Sequence, residues 1–472
     1  AFAIHDRETR RVTLARDRLG IKPFYYAELD GVFRFASSLP ALLAAGGIDK
    51  ELDPVALHHY MQWHAVVPAP RTLLKGVRKL PAATVRVIES DGQYKDTKYW
   101  TQSMQPRAGD EKKSFEDWQD EVTAMMRKSV ARRAIADVPV GVLLSGGLDS
   151  SLIVGLLAEA GQTGLNTFSV GFEAAGGEKG DEFVYSDLIA KHYGTEHHKI
   201  MVPSSMLLDT LPKTFEGMSE PMVSYDNVGF YLLSEAVSKH LKVVQSGQGA
   251  DEVFGGYHWY PPLMNSAPGN DAAVADYRQY FFDRSEEEMA EALSSKYLAE
   301  GDPSQLFVSD YFASVNSDRA VDKALNLDSH IMLVDDPVKR VDNNTMAHGL
   351  EARVPFLDHE LVELAGRIPA EYKVGGGGKY VLKEAARKII PNEVIDRPKG
   401  YFPVPALKYI EGPYLEFVRG YLDSDTARTR GLFNRDYLDK LMAAPRDHIT
   451  PLRGSKLWQV AVLEMWLQTH GI

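Results

Sequence analysis

Residues 138–151 read Val-Pro-Val-Gly-Val-Leu-Leu-Ser-Gly-Gly-Leu-Asp-Ser-Ser, and the fold of the chain is decided in this stretch. The apolar run from Val138 to Leu144 is typical of a buried parallel strand. Apolar residues then recur at helical spacing from Leu152 to Leu157. The stretch therefore predicts a strand, a glycine turn and the start of a helix.

The turn itself combines features that favour a bound phosphate group. Gly146 and Gly147 carry no Cβ, so a ligand can approach the backbone, and Ser150 or Ser151 is expected to cap the helix. The N–H groups and the positive dipole end of the helix would then face that ligand. An ordinary glycine turn between strand and helix is the alternative interpretation.

The spacing excludes a Walker A loop, which needs a Lys-Ser/Thr pair after its second glycine. No lysine lies between Arg133 and Lys179. The pattern Ser-Gly-Gly-x-Asp-Ser resembles instead the PP-loop of the ATP pyrophosphatases. Those enzymes cleave ATP between the α- and β-phosphates and hold the pyrophosphate.

The composition restricts the class of protein. Asp and Glu number 65 against 53 Lys and Arg, a net charge of −12, which argues against nucleic acid as a partner and for a soluble protein. Cysteine is absent, which excludes disulfides, thiolate metal sites and a cysteine nucleophile in this sequence. No apolar run has membrane-spanning length and no signal peptide opens the chain, so we expect a cytoplasmic protein without a membrane partner. No HExxH motif or Cys/His cluster suggests zinc.

The chain divides into two predicted domains. Residues 1–100 contain short apolar strands and the hairpin signals Asp30-Gly31 and Asp91-Gly92, which indicate an α+β domain. Residues 101–113 are polar and predict a linker. From residue 115 onward strands and helices alternate, which predicts a parallel sheet with helices on both faces. The opening Ala1-Phe2-Ala3-Ile4 has the pattern of an inner strand, so we expect the chain to begin within a domain.

A second glycine turn follows another predicted strand, Leu241 to Val244. It reads Gln-Ser-Gly-Gln-Gly-Ala-Asp-Glu-Val-Phe-Gly-Gly-Tyr over residues 245–257. Ligands of open α/β sheets bind at the carboxyl ends of the strands, near the point where the strand order reverses. We therefore expect the Ser145 and Ser246 turns to meet at that edge of a doubly wound sheet.

With both turns placed, the chain resembles the asparagine synthetase family of glutamine-dependent amidotransferases over essentially its whole length. Four further stretches carry the likeness: Ala15-Arg16-Asp17-Arg18-Leu19-Gly20-Ile21-Lys22-Pro23, Asp181-Glu182 with Gly194-Thr195-Glu196-His197-His198, Leu350 to Asp358, and Arg397-Pro398-Lys399-Gly400 with Phe402-Pro403-Val404-Pro405. The likeness implies the remaining part of an Ntn-type, type 2 glutamine amidotransferase domain at 1–100. It implies an asparagine synthetase-type ATP pyrophosphatase domain at 115–472.

The family likeness implies a ligase that forms C–N bonds. A small-molecule carboxylate would attack the α-phosphate of ATP, pyrophosphate would leave, and ammonia taken from glutamine would attack the acyl-adenylate. Charge develops on the phosphates, so catalysis would depend on positioning and on electrostatic stabilisation. The sequence leaves the oligomeric state open, with a homodimer among the options.

The candidate catalytic residues are Lys399, Gln248, Asp149 and Asp251. The residues expected around the pyrophosphate are Ser145, Gly146, Gly147, Asp149 and Ser150, and Asp149 and Asp251 are expected to bind Mg²⁺, a cation that prefers oxygen. The resemblance to the family implies that the adenosine is bordered by Leu144, Val170, Ser246 and Gly247. A capping or turn role is the alternative for the two aspartates. Lys399 would stabilise charge at the α-phosphate, with a surface lysine as the alternative. Lys379 and Lys383 either reach phosphate or lie on a solvated face.

One branch of the family, the N-acetylglutaminylglutamine amidotransferases, is similar in residues 68–71, 246–251 and 397–403. It implies a blocked dipeptide as the acceptor. Two departures bear on this. The family's glutaminase begins with a cysteine that is absent here, so we interpret the chain as N-terminally truncated, with an inactive glutaminase as the alternative. Gln248 stands where asparagine synthetases usually carry a glutamate, and a neutral amide cannot pair with the ammonium group of aspartate.

Three other functions remain open. The first is asparagine synthesis from aspartate. The second is a ring closure like that of the β-lactam synthetases, which lack the cysteine but use a Tyr-Glu pair that the sequence alone does not identify here. The third is a non-catalytic nucleotide-binding module, which would not need Asp149, Asp251 and Lys399 together.

Overall fold

The computed structural model describes residues 1–173, 180–398, 404, 407 and 410–472. Its strands are β1 Phe2–His5, β2 Val12–Ala15, β3 Tyr25–Leu29, β4 Val32–Ala36, β5 Arg78–Lys79, β6 Thr84–Ile88, β7 Tyr94–Lys98, β8 Val140–Leu143, β9 Asn166–Phe172, β10 Glu196–Val202, β11 Val243–Gln245 and β12 Glu351–Arg353.

Helices connect these strands and form most of the second half of the chain. In the first half they are Leu39–Ala44, Pro54–Gln62, Phe115–Ala134, Leu148–Glu159, Phe183–Tyr193, Ser204–Gly217 and Asn227–Ser238. In the second half they are Ala250–Phe254, Tyr260–Leu263, Asn270–Phe281, Glu286–Ala292, Pro303–Ser314, Ala320–Leu327, Leu333–Asp335, Pro337–Met346, His359–Arg367, Ala370–Val374, Tyr380–Ala386, Asn392–Ile395, Pro413–Leu422, Asp425–Arg430, Arg435–Ala443 and Lys456–Thr469. Within the described residues, no helix is both long enough and apolar enough to cross a membrane.

Residues 1–100 form two antiparallel sheets, with the strand orders β1-β2-β6-β7 and β4-β3-β5. The predicted hairpins are present, and Asp30 and Gly31 turn β3 into β4 with φ angles of 51° and 75°. The Asp53 carboxylate accepts the N–H groups of Val55 and Ala56 and so caps helix Pro54–Gln62. The predicted α+β character of this part of the chain is therefore confirmed.

The second part is built on a parallel sheet with the strand order β10-β9-β8-β11-β12, and each pair of neighbours is parallel. The order reverses at β8, since β9 and β10 extend to one side and β11 and β12 to the other. This is the predicted doubly wound sheet, and its switch point lies between the ends of β8 and its neighbours.

Successive residues of β8 point to opposite faces of the sheet, as the pleat requires. Val142 lies in a core formed with helices Phe115–Ala134 and Leu148–Glu159. Leu143 lies in a separate core with helix Asn227–Ser238. Because both faces are covered by helices, the strand is apolar throughout rather than alternating.

The helix after β8 begins earlier than the sequence indicates. Its N-terminal cap is Gly147, which offers no side chain, and its first residue is Leu148. Ser150 and Ser151 therefore lie inside the first turn and do not cap the helix. The predicted cap was wrong because the apolar spacing starts one turn after the helix itself.

The two parts of the chain share buried groups. Lys79 of β5 is almost fully buried, and its ammonium group donates to Glu220 Oε2 at 3.0 Å and to Asp335 Oδ1 at 2.7 Å. The Tyr60 hydroxyl of helix Pro54–Gln62 donates to the carbonyl of Gln459, in the C-terminal helix, at 3.0 Å. The α+β part is therefore fixed to the rest by a buried ion cluster and a common apolar core.

Replacing Lys79 with Met should destabilise the protein by about 3 kcal/mol, because two buried carboxylates would lose their principal cation. Thermal or urea unfolding measures the loss. The matched control is Lys75→Met, which removes an exposed pair with Glu51 and should change stability by less than about 1 kcal/mol. Equal effects of the two substitutions would show that the Lys79 cluster does not hold the two parts together.

Candidate active site

The two glycine turns meet at the carboxyl edge of the parallel sheet, as predicted. A Cβ placed on Gly247 would lie 3.0 Å from the Asp149 Cβ and 3.2 Å from the Ser150 nitrogen. Any larger residue at 247 would therefore push the turns apart. Together with the segment 377–379 and Arg397 the turns enclose a cavity of about 370 Å³.

The Ser145 turn is folded back on itself by Ser150. The Ser150 hydroxyl accepts the N–H of Ser145 at 3.2 Å and lies 3.1 Å from the Ser145 hydroxyl, which in turn accepts the N–H of Gly147 at 3.3 Å. The first-turn N–H groups of helix Leu148–Glu159 have no carbonyl acceptor within the helix. The turn therefore presents a helix N-terminus to the cavity, which suits an anion.

The two glycines of this turn, Gly146 and Gly147, have different surroundings. A Cβ on Gly146 would lie 2.7 Å from the Ser186 nitrogen and 2.9 Å from the Tyr185 Cβ, and its φ is +74°. Gly146 is thus required by the packing of helix Phe183–Tyr193, and it does not line the cavity. The nearest atom to a Cβ on Gly147 would be the Ser145 Oγ at 3.4 Å, an ordinary contact. The proposed ligand approach therefore applies to Gly147 and not to Gly146.

The predicted catalytic aspartates converge on a lysine. The Lys379 ammonium group lies 2.7 Å from Asp149 Oδ2 and 3.0 Å from Asp251 Oδ1, and its side chain is only 9% exposed. Burial lowers the pKa of Lys379, but the two carboxylates outweigh burial, so the pKa lies above its ordinary value. The solvated-face alternative for Lys379 is wrong. The two turns thus hold one positive charge between two carboxylates.

Glycines allow the lysine to reach this position. A Cβ on Gly256 would lie 2.1 Å from Asp251 Oδ1 and 2.3 Å from Lys379 Cε, and one on Gly378 would lie 2.7 Å from the Gly255 carbonyl oxygen. Lys379 itself has a left-handed φ of 55°, and its N–H donates to the Phe254 carbonyl. The two glycine-containing segments are therefore packed backbone against backbone beside the carboxylates.

The residues expected beside the adenosine line the same cavity. Leu144, Val170, Ser246 and Gly247 are all on its wall, next to the apolar side chains of Phe230 and Leu233. The Leu144 N–H donates to the Phe168 carbonyl at 2.8 Å, and the Ser169 hydroxyl donates to the Leu144 carbonyl. The main chain of Leu144 is therefore engaged with β9, which fixes this wall of the cavity.

The remaining predicted residues are placed differently. Lys399 lies outside the described residues. Arg397, two residues before it, lines the cavity, donates to Glu182 Oε2 at 2.9 Å and lies 4.5 Å from the centre of the Tyr185 ring. Gln248 lines the cavity, and its side-chain oxygen accepts from the Ser246 hydroxyl. Lys383 also lines the cavity and donates to the Gly376 carbonyl at 3.0 Å.

A tyrosine–glutamate pair that sequence reasoning missed also lines the cavity. The Tyr257 hydroxyl donates to Glu252 Oε1 at 2.8 Å. Burial, and then the neighbouring Asp251 carboxylate, raise the pKa of Glu252 to about 8. Burial, and then Glu252, raise the pKa of Tyr257 well above its ordinary value. Glu252 and Tyr257 therefore form a buried hydrogen-bonded pair on the wall of the cavity, with both pKa values above their ordinary range.

A second missed group is Arg340, which also lines the cavity. Its guanidinium lies 3.2 Å from Asp226 Oδ1 and 3.0 Å from Asp336 Oδ1. The motif Asp335-Asp336-Pro337-Val338-Lys339-Arg340 is the signal that could have identified it. The spacing of this motif, however, does not connect Arg340 with Asp226, which lies more than a hundred residues earlier.

The site fits a bound cation and a phosphate chain. Asp149 and Asp251 already hold the ammonium group of Lys379, and two carboxylates from separate loops are the oxygen ligands that Mg²⁺ prefers. The helix N-terminus at Gly147 lies beside them. The arrangement can therefore bind an anion and the metal ion that neutralises it.

Comparison with known proteins places the chain in a family. The asparagine synthase family model matches residues 121–468, and that of the glutamine amidotransferase domain matches residues 1–100. Asparagine synthetase [glutamine-hydrolyzing] 1 of Bacillus subtilis is 30% identical over 498 aligned residues, which cover 99% of this chain and 76% of the relative. A putative asparagine synthetase [glutamine-hydrolyzing] of Mycobacterium bovis is 32% identical, with the same two coverages. The asparagine synthetase [glutamine-hydrolyzing] of Gallus gallus is 26% identical over 90% of this chain and 66% of the relative. The chain therefore belongs to the asparagine synthase family, ligases that use ATP and take amide nitrogen from glutamine.

Proposed function

We propose that this cavity activates a small-molecule carboxylate by adenylation and that ammonia then displaces AMP to give the amide. The observation that carries the proposal is the convergence of Asp149 and Asp251, from two separate turns, on one positive charge. This is the arrangement needed where a metal-bound phosphate chain develops charge.

Each part of the site has a proposed role. The N–H groups around Gly147 and Ser150 hold the departing pyrophosphate, and Leu144, Val170, Ser246 and Gly247 border the adenosine. Asp149 and Asp251 would bind Mg²⁺, which supplies charge neutralisation when it is present. Lys379 adds a positive charge at the same place. Lys399, proposed from the sequence, would stabilise the α-phosphate.

The acceptor is proposed from the charges of the cavity. Five carboxylates line it in the described part of the chain, and each has a partner: Asp149 and Asp251 with Lys379, Glu182 with Arg397, Asp226 with Arg340, and Glu252 with Tyr257. An aspartate substrate would have to share one of these partnered carboxylates to place its ammonium group. The Gln248 amide can donate to and accept from peptide groups.

We therefore propose an N-blocked glutaminyl dipeptide of the N-acetylglutaminylglutamine type as the acceptor. Asparagine synthesis from aspartate is the second candidate, and the names of the curated relatives favour it. The ring-closing alternative would use the Tyr257–Glu252 pair that lines the cavity, where burial raises the pKa values of both groups.

Asp149→Asn and Asp251→Asn should each lower ammonium-dependent pyrophosphate release about 100-fold or more, because each removes a proposed ligand of the Mg²⁺ ion that would neutralise the phosphate chain. Release by the unchanged chain should require Mg²⁺ and yield AMP. The control is Asp187→Asn, an exposed residue paired with Lys199 outside the cavity. Unchanged release in both site variants, or ADP and orthophosphate as the primary products, would contradict the proposed adenylation.

Pyrophosphate release, measured with ammonium and each acid in turn, distinguishes the two candidate acceptors. The blocked dipeptide should support saturable turnover and aspartate little. Gln248→Glu should shift the preference towards aspartate by about tenfold or more, since it places an anion near the ammonium group. Efficient turnover of aspartate by the unchanged chain, with none on the dipeptide, would establish asparagine synthesis instead.

A further inference from the structure

A second cluster of ligand side chains lies outside the active-site cavity, where three helices meet. His58 belongs to helix Pro54–Gln62, Glu286 opens helix Glu286–Ala292, and Asp302 caps helix Pro303–Ser314. One ligand atom of each lies within 4.8 Å of the other two, and this is the one such group of three that the described residues contain.

The spacing of these atoms matches a metal site. His58 Nε2 lies 3.5 Å from Glu286 Oε1 and 3.6 Å from Asp302 Oδ1. Ligands at bond lengths of about 2.0–2.1 Å in a tetrahedral site are separated by about 3.3 Å. A movement of a few tenths of an ångström would bring both carboxylate oxygens to this separation from His58 Nε2, and the two carboxylates have oxygens within 4.8 Å of each other.

The buried imidazole directs its Nε2 atom into the cluster. The His58 side chain is only 3% exposed, whereas Glu286 is 43% exposed and leaves a route from solvent. Gln62, one helical turn after His58, places its Oε1 atom 3.1 Å from the same Nε2 and donates from Nε2 to Glu286 Oε1 at 2.5 Å. The Gln62 amide oxygen is thus a candidate fourth ligand beside the imidazole.

The surroundings fix the orientation of the Asp302 carboxylate. Asp302 Oδ1 accepts the N–H of Gln305 at 2.8 Å, and Arg278 lies 3.0 Å from Asp302 Oδ2. Such partners behind a ligand fix its orientation. A divalent cation would reduce the repulsion between two carboxylates whose oxygens lie within 4.8 Å of each other.

We propose that His58, Glu286 and Asp302 bind a divalent transition-metal ion, with Gln62 or water as the fourth ligand. One imidazole nitrogen with two or three oxygens suits Zn²⁺ or Co²⁺ better than Mg²⁺, which prefers oxygen alone. The ion would join helix Pro54–Gln62, in the α+β part, to two helices of the other part. It would stabilise their junction without entering the amide-forming reaction.

The test is a Co²⁺ titration of the full chain, followed by displacement with Zn²⁺. A four-coordinate site containing imidazole should give intense visible d–d absorption, and Zn²⁺ should abolish it and raise the thermal unfolding midpoint. Asp302→Asn keeps an oxygen that can cap the helix but weakens the ligand, and His58→Gln removes the imidazole. Each should weaken binding about tenfold or more, and Asp302→Asn should leave ammonium-dependent pyrophosphate release unchanged.

Two controls isolate the site. His5→Gln alters an exposed histidine outside the cluster, and Asp149→Asn alters the active-site carboxylates; both should retain the intense absorption. If His58→Gln fails to fold, Asp302→Asn decides the question alone. The proposal is overturned if the unchanged chain gives no intense absorption. It is also overturned if Asp302→Asn binds Co²⁺ as tightly, and is stabilised by Zn²⁺ as strongly, as the unchanged chain.

Discussion

The structure of the candidate active site depends on one interaction, the ion triad of Asp149, Lys379 and Asp251. Each carboxylate comes from a different glycine turn, and the lysine comes from a third segment. Two carboxylates this close would repel one another without a cation, and a buried charge without a partner costs several kcal/mol. The triad therefore holds three segments together and keeps a cation-binding position formed.

Close approach between the backbones of the three segments makes this triad possible. Gly247, Gly256 and Gly378 each lie where a Cβ would be 3.0 Å or less from a neighbouring atom. They let the segments pack main chain against main chain, so that short aspartate side chains reach a common point. The parallel sheet supplies the framework, because β8 and β11 end side by side at its switch point.

The sequence predicted those features that depend on local pattern. The apolar run before Ser145, the helical spacing after it and the alternation of elements were sufficient for the doubly wound sheet. The meeting of the two turns followed from their shared position after strands. Residues that act over long separations could not be predicted in this way. Lys379 pairs with Asp149 and Arg340 with Asp226, each more than a hundred residues away, so no spacing shows these contacts. Glu252 and Tyr257 are only five residues apart, but the cavity that they line is formed by the tertiary structure.

Two errors have a clear physical origin. Ser150 was expected to cap a helix, but that helix starts at Leu148, and the Ser150 hydroxyl folds the turn back towards Ser145 instead. Gly146 was assigned to ligand approach, but the missing Cβ makes room for helix Phe183–Tyr193. At both positions the residue type indicated a special role. The group that each residue contacts, however, is set by the tertiary structure.

The central claim is that the cavity transfers AMP to a carboxylate. The most direct test is to supply the acceptor acid with its carboxylate labelled with ¹⁸O, together with ATP, Mg²⁺ and ammonium. Mass spectrometry then follows the label. Adenylation predicts that one labelled oxygen appears in AMP. The acceptor oxygen stays bonded to the α-phosphorus when ammonia attacks the acyl carbon and AMP leaves. Label in orthophosphate, or amide formed with unlabelled AMP, would contradict the account.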